Sequence, residues 1–190
     1  MKNAVISLLS LSALGCAETA VNPPPAYVAE APLPEGWPQP GPYNQVAEKK
    51  YPGYRAAFTV GSGSTIPFFT LFAHIKRNGI PMTAPVELSM NQKDGKLKQS
   101  SMAFLYQNEK VGKTGADGTK VEVRDIPAFK ALAYTWQGGD SQENIAKAKA
   151  ALDAELLKTK RAAKEFRMLG YNGPGTPGNK RTWELQAVVD

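Results

Sequence analysis

The sequence predicts an α+β fold in which duplicated βαββ units form a distorted antiparallel β-barrel flanked by two helices. The run PGYRA at residues 52–56 returns 75 positions later as PAFKA at residues 127–131. Each copy opens a β-rich run, and each run is followed by a Gly-containing break, a helical stretch and two more strand-like runs. Because neither unit can bury its apolar faces alone, we expect pseudo-repeats at 43–110 and 120–190 with a ligand cleft at their seam.

The first unit is predicted to contain one helix among four strands. A Gly/Ser-rich break at residues 61–64 ends the second strand, and Ser64 or Thr65 can cap a helix that has Pro67 in its first turn. The predicted strands are 43–50, 54–60, 80–90 and 101–107, with the helix at 67–77 and a loop at 111–119. The apolar stripe of the helix consists of Phe68, Leu71, Phe72 and Ile75.

The second unit repeats this order with a longer helix. Asp140 and Glu143 have the spacing of a capping box, which predicts a helix over residues 141–164. The predicted strands are 121–123, 129–136, 166–171 and 182–189, with a loop at 172–180. The buried stripe of the helix consists of Ile145, Ala148, Leu152 and Leu156.

The N-terminal 42 residues have the composition of an export signal and a spacer. Residues 1–16 read as a signal peptide with a lipobox-like end, because a short apolar run ends in Ala13-Leu14-Gly15-Cys16. Lipidation of Cys16 would anchor the chain in the cell envelope, whereas an ordinary secretory signal would be cut near Ala17 or Ala20. Residues 17–42 form a Pro-rich linker, and Trp37 and Tyr43 either dock on the body or belong to a mobile tail.

The charge and cysteine content restrict the possible partners. The chain has a formal net charge of +6 and one cysteine. Nucleic acid, anionic lipid and a carboxylate-bearing ligand would all suit a basic surface, and so would a solvated surface with no partner. Export to the periplasm or cell envelope argues against nucleic acid. An exported chain with a single cysteine forms no internal disulfide, so its stability must come from packing.

The residues offer little for catalysis. His74 is the only histidine, and the sequence near it contains no acid that could orient it. One histidine and one early cysteine do not make a closed zinc site. We therefore expect a binding protein rather than an enzyme.

Two longer motifs carry a resemblance to a known family. The first runs through FFTLFAHI at residues 68–75 and IPMTAPV at residues 80–86, and the second is FRMLGYNGPGTP at residues 166–177, followed by basic residues and Trp183. Together they resemble the SOUL family of heme-binding proteins over residues 43–189. The resemblance implies a distorted barrel of two βαββ repeats that binds heme or a related porphyrin, without a universal axial histidine.

The resemblance also suggests which residues would contact heme. A porphyrin needs apolar contact area and one or two cations beside its carboxylates. The candidate residues are Phe68, Leu71, Phe72, His74, Ile75, Lys76, Arg77 and Met82. Each has a structural alternative: the apolar residues would be core, His74 a half-buried substitute for an aromatic residue, and the two cations a solvated helix end.

The functional expectation is reversible binding of heme or a related tetrapyrrole by an exported, membrane-anchored carrier, buffer or sensor. The alternative is a surface interaction or structural module that keeps the fold and has lost heme binding.

Overall fold

The computed structural model describes residues 27–60 and 67–190, which form nine strands and two α-helices. The strands are β1 Val46–Tyr51, β2 Tyr54–Thr59, β3 Val86–Lys93, β4 Lys96–Leu105, β5 Gly115–Asp117, β6 Val121–Ile126, β7 Phe129–Gln137, β8 Glu165–Gly170 and β9 Thr182–Val189. The helices are α1 Pro67–Arg77 and α2 Gln142–Thr159. No helix in these described ranges is long and apolar enough to cross a membrane.

All nine strands belong to one sheet, in the order β1-β7-β9-β8-β3-β4-β2-β6-β5, and each named pair is antiparallel. The α+β prediction is therefore confirmed. Across the described residues β1 and β5 are sheet edges that do not pair with each other, so the sheet is not closed and the predicted barrel is not confirmed. The two PGYRA-like runs open β2 and β7, which lie in opposite halves of the sheet.

Both helices pack on one face of the sheet. Side chains alternate between faces along a strand, and in β2 this places Ala57 beneath α1 while its neighbours Ala56 and Phe58 point to the opposite face. The buried stripe of α2 consists of Ile145, Ala148, Leu152 and Leu156, as predicted.

The N-terminal segment covers the opposite face. Trp37 is buried there, with its ring edge-to-face on Tyr51 at 4.9 Å and on Tyr54 at 5.2 Å. The Glu35 amide donates to Gln107 O at 2.8 Å, and the Ala84 amide donates to Pro32 O at 3.0 Å. Residues 27–42 therefore lie against the sheet instead of forming a free spacer, because Trp37 gains an aromatic pocket. Residues 17–26 and the predicted lipidation site Cys16 lie outside the described residues.

Several element boundaries differ from the predictions. Strand β3 starts at Val86 rather than residue 80, because Pro81 and Pro85 cannot donate to a ladder. Helix α2 ends at Thr159, since Lys160 adopts the left-handed conformation with φ 55° and its amide caps the helix. The predicted loop 111–119 contains the short strand β5. The predicted cap of α1 at Ser64 or Thr65 lies outside the described residues.

The capping box predicted from Asp140 and Glu143 is wrong by one residue. Ser141 is the N-cap of α2, and its hydroxyl accepts from the Asn144 amide at 3.2 Å. Ser141 therefore satisfies one of the free amides at the helix start. Asp140 instead lies beside the cavity described next.

Candidate functional site

A cavity of 430 Å³ lies on the helix-bearing face, between α1, the start of α2 and the central strands β3 and β8. Its volume falls within the range of roughly 300–1,000 Å³ found for small-molecule sites. The apolar part of its lining includes Phe68, Met82, Val86, Leu88, Met102 and Trp183. Because β3 and β8 are neighbours in the middle of the strand order, the cavity lies over the centre of the sheet.

The two sequence motifs meet in this cavity. Met82 and Val86 come from the first motif, while Gly170, Arg181 and Trp183 come from the second motif and the residues after it. The antiparallel pairing of β3 with β8 sets Val86 opposite Gly170, and the pairing of β8 with β9 sets Gly170 opposite Trp183. Sheet register therefore brings together residues that are about 100 positions apart.

Gly170 is required by this arrangement. A Cβ atom at residue 170 would lie 2.8 Å from Cζ3 and 3.2 Å from Cη2 of Trp183. Ordinary carbon–carbon contacts are at about 3.5–4.0 Å, so any side chain at residue 170 would displace the indole ring. The absence of a side chain at Gly170 thus lets Trp183 form a wall of the cavity.

The rim of the cavity is polar and carries charges of both signs. Arg181 donates from Nε to Thr176 O and from Nη2 to Pro174 O, both at 2.9 Å. Glu30 and Asp140 place two carboxylates beside the same opening. Hydrogen bonds from the Thr176 hydroxyl and the Gly173 amide hold the pKa of Glu30 below its ordinary value.

The predicted site residues are divided between three environments. Phe68 and Met82 line the cavity, whereas Leu71 and Ile75 point from α1 into the core between the helix and the sheet. Phe72 is 42% exposed on the outer side of α1, and Lys76 and Arg77 are exposed at its end. Among the eight, only Phe68 and Met82 contribute to the lining of the cavity.

His74 is buried and held at both ring nitrogens. Its Nε2 lies 2.7 Å from the Tyr106 hydroxyl, and its Nδ1 is hydrogen-bonded to the carboxylate of Asp117, which also pairs with Arg77. The bond to His74 lowers the pKa of Asp117, and burial raises the pKa of Tyr106 to about 12. His74 does not line the cavity, so its contacts are those of a core residue.

Most residues that line the cavity were missing from the sequence-based site, among them Val86, Leu88, Met102 and Trp183. Val86 and Trp183 belong to quoted motifs, so their motif membership was the available signal. Leu88 and Met102 belong to neighbouring strands and offered no local signal, because only the β3–β4 pairing sets Leu88 opposite Met102.

The sequence model of the SOUL heme-binding protein family matches residues 41–187. The chain belongs to the SOUL family. The match includes both motifs and all of the cavity lining except Glu30 and Ala31. No curated protein matches the sequence.

Solved structures resemble this SOUL protein in fold. A hydrolase from Listeria innocua superposes with a TM-score of 0.57 at 11% identity, covering 79% of this chain and 94% of its own. The EcmrR C-terminal domain gives 0.55 at 19% identity, with 77% and 97% covered. EcmrR in its DNA complex gives 0.56 at 16% identity, and the match covers 77% of this chain but only 57% of EcmrR. At these identities the likeness shows the fold alone.

The cavity residues fit the apolar part of a tetrapyrrole. Phe68 and Trp183 offer aromatic surface, and Met82 and Met102 add adaptable thioethers. Trp183 Nε1 is buried without a hydrogen-bond partner among the described residues, so it can donate to a ligand acceptor. Arg181 provides a cation for one carboxylate. No cluster of three or more metal-binding side chains occurs in residues 27–60 and 67–190.

Proposed function

We propose that this SOUL protein binds heme or a related tetrapyrrole reversibly in the cavity between α1 and α2. The observation that carries the proposal is the meeting of both family motifs in one apolar cavity with Arg181 at its rim. The porphyrin plate would lie among Phe68, Met82 and Trp183, with a propionate beside Arg181. Such a site would suit a carrier, buffer or sensor, because its lining offers apolar contact area.

Hemin titration tests this proposal. We expect a saturable shift of the Soret band at micromolar hemin, and we expect Met82→Trp to weaken binding at least tenfold by filling the cavity. Lys76→Ala is the control, because Lys76 belongs to α1, is exposed and lies outside the cavity. Loss of binding in Lys76→Ala alone would move the site to the exposed end of α1, and a wild-type protein without any shift would exclude heme.

A second candidate function is a surface interaction or structural module that has lost heme binding. The rim favours this candidate, since it carries two carboxylates, Glu30 and Asp140, against the single cation of Arg181. Two propionates would meet repulsion there. A negative hemin titration combined with specific capture of one envelope protein would support an interaction module. Tight hemin binding would exclude a loss of heme binding.

We further propose that the protein is exported and anchored through a lipid on Cys16. The support comes from the sequence of residues 1–16, with an ordinary secretory signal as the alternative. The wild-type protein should fractionate with membranes and incorporate a labelled fatty acid, and Cys16→Ser should do neither. An unlabelled mature chain that starts near Ala17 or Ala20 would instead favour ordinary secretion.

The duplication of two βαββ units is also part of this proposal. Its support is the sheet order: moving outward from the central β3–β8 pair, one side reads β3-β4-β2 and the other reads β8-β9-β7. On each side the helix follows the outermost of these three strands in the sequence, since α1 follows β2 and α2 follows β7. A duplicated origin would explain why the cavity lies where the halves join.

A further inference from the structure

The segment 27–37, named here the strap, packs at both ends on the opposite face of the sheet and reaches the cavity rim between them. Its first residue, Tyr27, packs edge-to-face on Tyr171 at 5.5 Å, and its last, Trp37, is buried against Tyr51 and Tyr54. Between them Pro32 O accepts from the Ala84 amide. The strap precedes the residues matched by the family, 41–187, yet its Glu30 and Ala31 line the cavity.

Glu30 connects the strap to the loop between β8 and β9. One carboxylate oxygen accepts from the Gly173 amide at 2.7 Å, and the other accepts from Asn172 Nδ2 at 3.1 Å and from the Thr176 hydroxyl. The Asn172 side chain also donates to Val28 O at 3.3 Å. Charge-assisted hydrogen bonds of this kind are stronger than neutral ones.

The same loop forms a wall of the cavity. Asn172, Gly173 and Pro174 all line it. Gly173 allows the strap to approach closely, since a Cβ atom there would lie 3.2 Å from Glu30 Oε2. The position of this wall therefore depends on the contacts that hold the loop.

Two clamps hold the loop from different sides. Arg181, within the family domain, donates to the carbonyls of Thr176 and Pro174, and the Thr182 amide donates to Asn172 Oδ1 at 2.8 Å. Glu30 is the clamp on the strap side, and it satisfies the Gly173 amide that the other contacts leave free. Without the Glu30 carboxylate, the Gly173 end of the loop would lose its strongest tie.

We propose that Glu30 is a positioning residue for the ligand of this cavity, holding the loop at 172–176 as a wall and making the strap–loop junction the ligand's exit. The proposal rests on the proposed heme function for the identity of the ligand. The positioning of the loop itself does not depend on that identity, because the contacts exist without ligand. A tetrapyrrole held by apolar contacts would leave faster once this wall is loosened.

The test compares Glu30→Ala with Glu35→Ala in the full chain. Glu35 lies on the same strap and is exposed, and its side chain makes no hydrogen bond or ion pair with the described residues, so its loss controls for charge. The first readout needs no heme: amide exchange of Gly173 should become at least tenfold faster in Glu30→Ala and stay unchanged in Glu35→Ala. Glu30→Gln keeps one acceptor oxygen and loses the other together with the charge, so its exchange rate should lie between those of the two alanine variants.

The second readout is the rate of hemin release to an apoprotein acceptor. We expect release to be at least fivefold faster in Glu30→Ala than in the wild type, with Glu35→Ala unchanged. Equal Gly173 exchange in the two variants would overturn the positioning role. Faster exchange with unchanged hemin release would overturn the assignment of the junction as the exit. A wild-type protein that does not bind hemin would overturn the proposed function, while the exchange data would still decide the role of Glu30.

Discussion

The imidazole Nε2 of His74 lies 2.7 Å from the hydroxyl of Tyr106, and the two rings stack with an interplanar angle of 13°. The sole histidine of the chain is thus a buried member of a polar network with Tyr106 and Asp117. Asp117, which the sequence places 43 positions away, supplies the acid that His74 lacks locally.

Replacement of His74 with Ala should destabilise the protein by about 2–4 kcal/mol, because a cavity forms and the Tyr106 hydroxyl loses its buried partner. Denaturant unfolding measures this change, with Lys76→Ala as an exposed control on the same helix expected within about 0.5 kcal/mol of the wild type. In His74→Gln the spectrum of bound hemin should match the wild type. A shifted spectrum would identify His74 as an iron ligand.

Replacement of Asp117 with Asn should change the pH dependence of stability on the acid side. The hydrogen bond from His74 lowers the folded-state pKa of Asp117. A carboxylate with a lowered pKa contributes stability above its unfolded value of about 3.9 and loses it as the pH falls through the folded value. The wild type should therefore be more stable than Asp117→Asn at pH 7, and the difference should shrink as the pH falls below 4. A difference that is constant with pH would contradict this linkage.

Replacement of Gly170 with Ala should displace the Trp183 ring that lines the cavity. Overpacking of this kind costs about 1–3 kcal/mol, and hemin affinity should fall with it. Thermal unfolding measures the loss of stability, tryptophan fluorescence reports the displacement of the Trp183 ring, and hemin titration measures the affinity. Gly175→Ala is the matched control, since a Cβ atom at Gly175 meets nothing within 4 Å. Wild-type hemin affinity in Gly170→Ala would show that the Trp183 wall is not part of the binding site.

Replacement of Trp37 with Ala should cost about 3–5 kcal/mol, the range for truncating a buried large aromatic residue. Loss of this anchor should also expose the strap to proteases. Val28, 73% exposed on the same strap, is the control, and Val28→Ala should leave stability unchanged. Equal stability of Trp37→Ala and the wild type would show that the packing of Trp37 does not stabilise the body and would favour a separable spacer.

Replacement of Ser141 with Ala should destabilise α2 by about 0.5–2 kcal/mol, because the Asn144 amide loses its cap. Asp140→Ala should have little effect, since Asp140 is not the N-cap. Urea unfolding of the two variants compares the caps. A larger loss in Asp140→Ala would reinstate the capping box that the sequence spacing suggested.

Local patterns predicted those elements whose boundaries depend on nearby residues. Helix α1 covers Pro67–Arg77 and strand β9 covers Thr182–Val189, as the sequence predicted, because a 3.6-residue periodicity and an alternation of apolar residues are both visible locally. The end of α2 was not predictable in this way, since Lys160 adopts a conformation that glycine usually provides. Both motifs were read correctly as markers of the SOUL family.

The candidate site was only partly predictable, for a geometric reason. Phe68 and Met82 were named from one motif and do line the cavity, but the second wall depends on the pairing of β8 with β3 and β9. Phe72 was placed on the apolar stripe with Leu71, whereas the structure buries His74 on that side and exposes Phe72. Asp117 and Tyr106 stabilise the buried position of His74, because they satisfy both nitrogens of its imidazole.

The sequence by itself determined the α+β class, most of the helices and strands, and membership of the SOUL family, because these follow from periodicity and short motifs. Only the tertiary structure decided that the sheet stays open, which residues line the cavity over β3 and β8, and that Trp37 and Glu30 join the body. The physical reason is that strand register and side-chain packing bring distant residues together, and neither is encoded in local spacing.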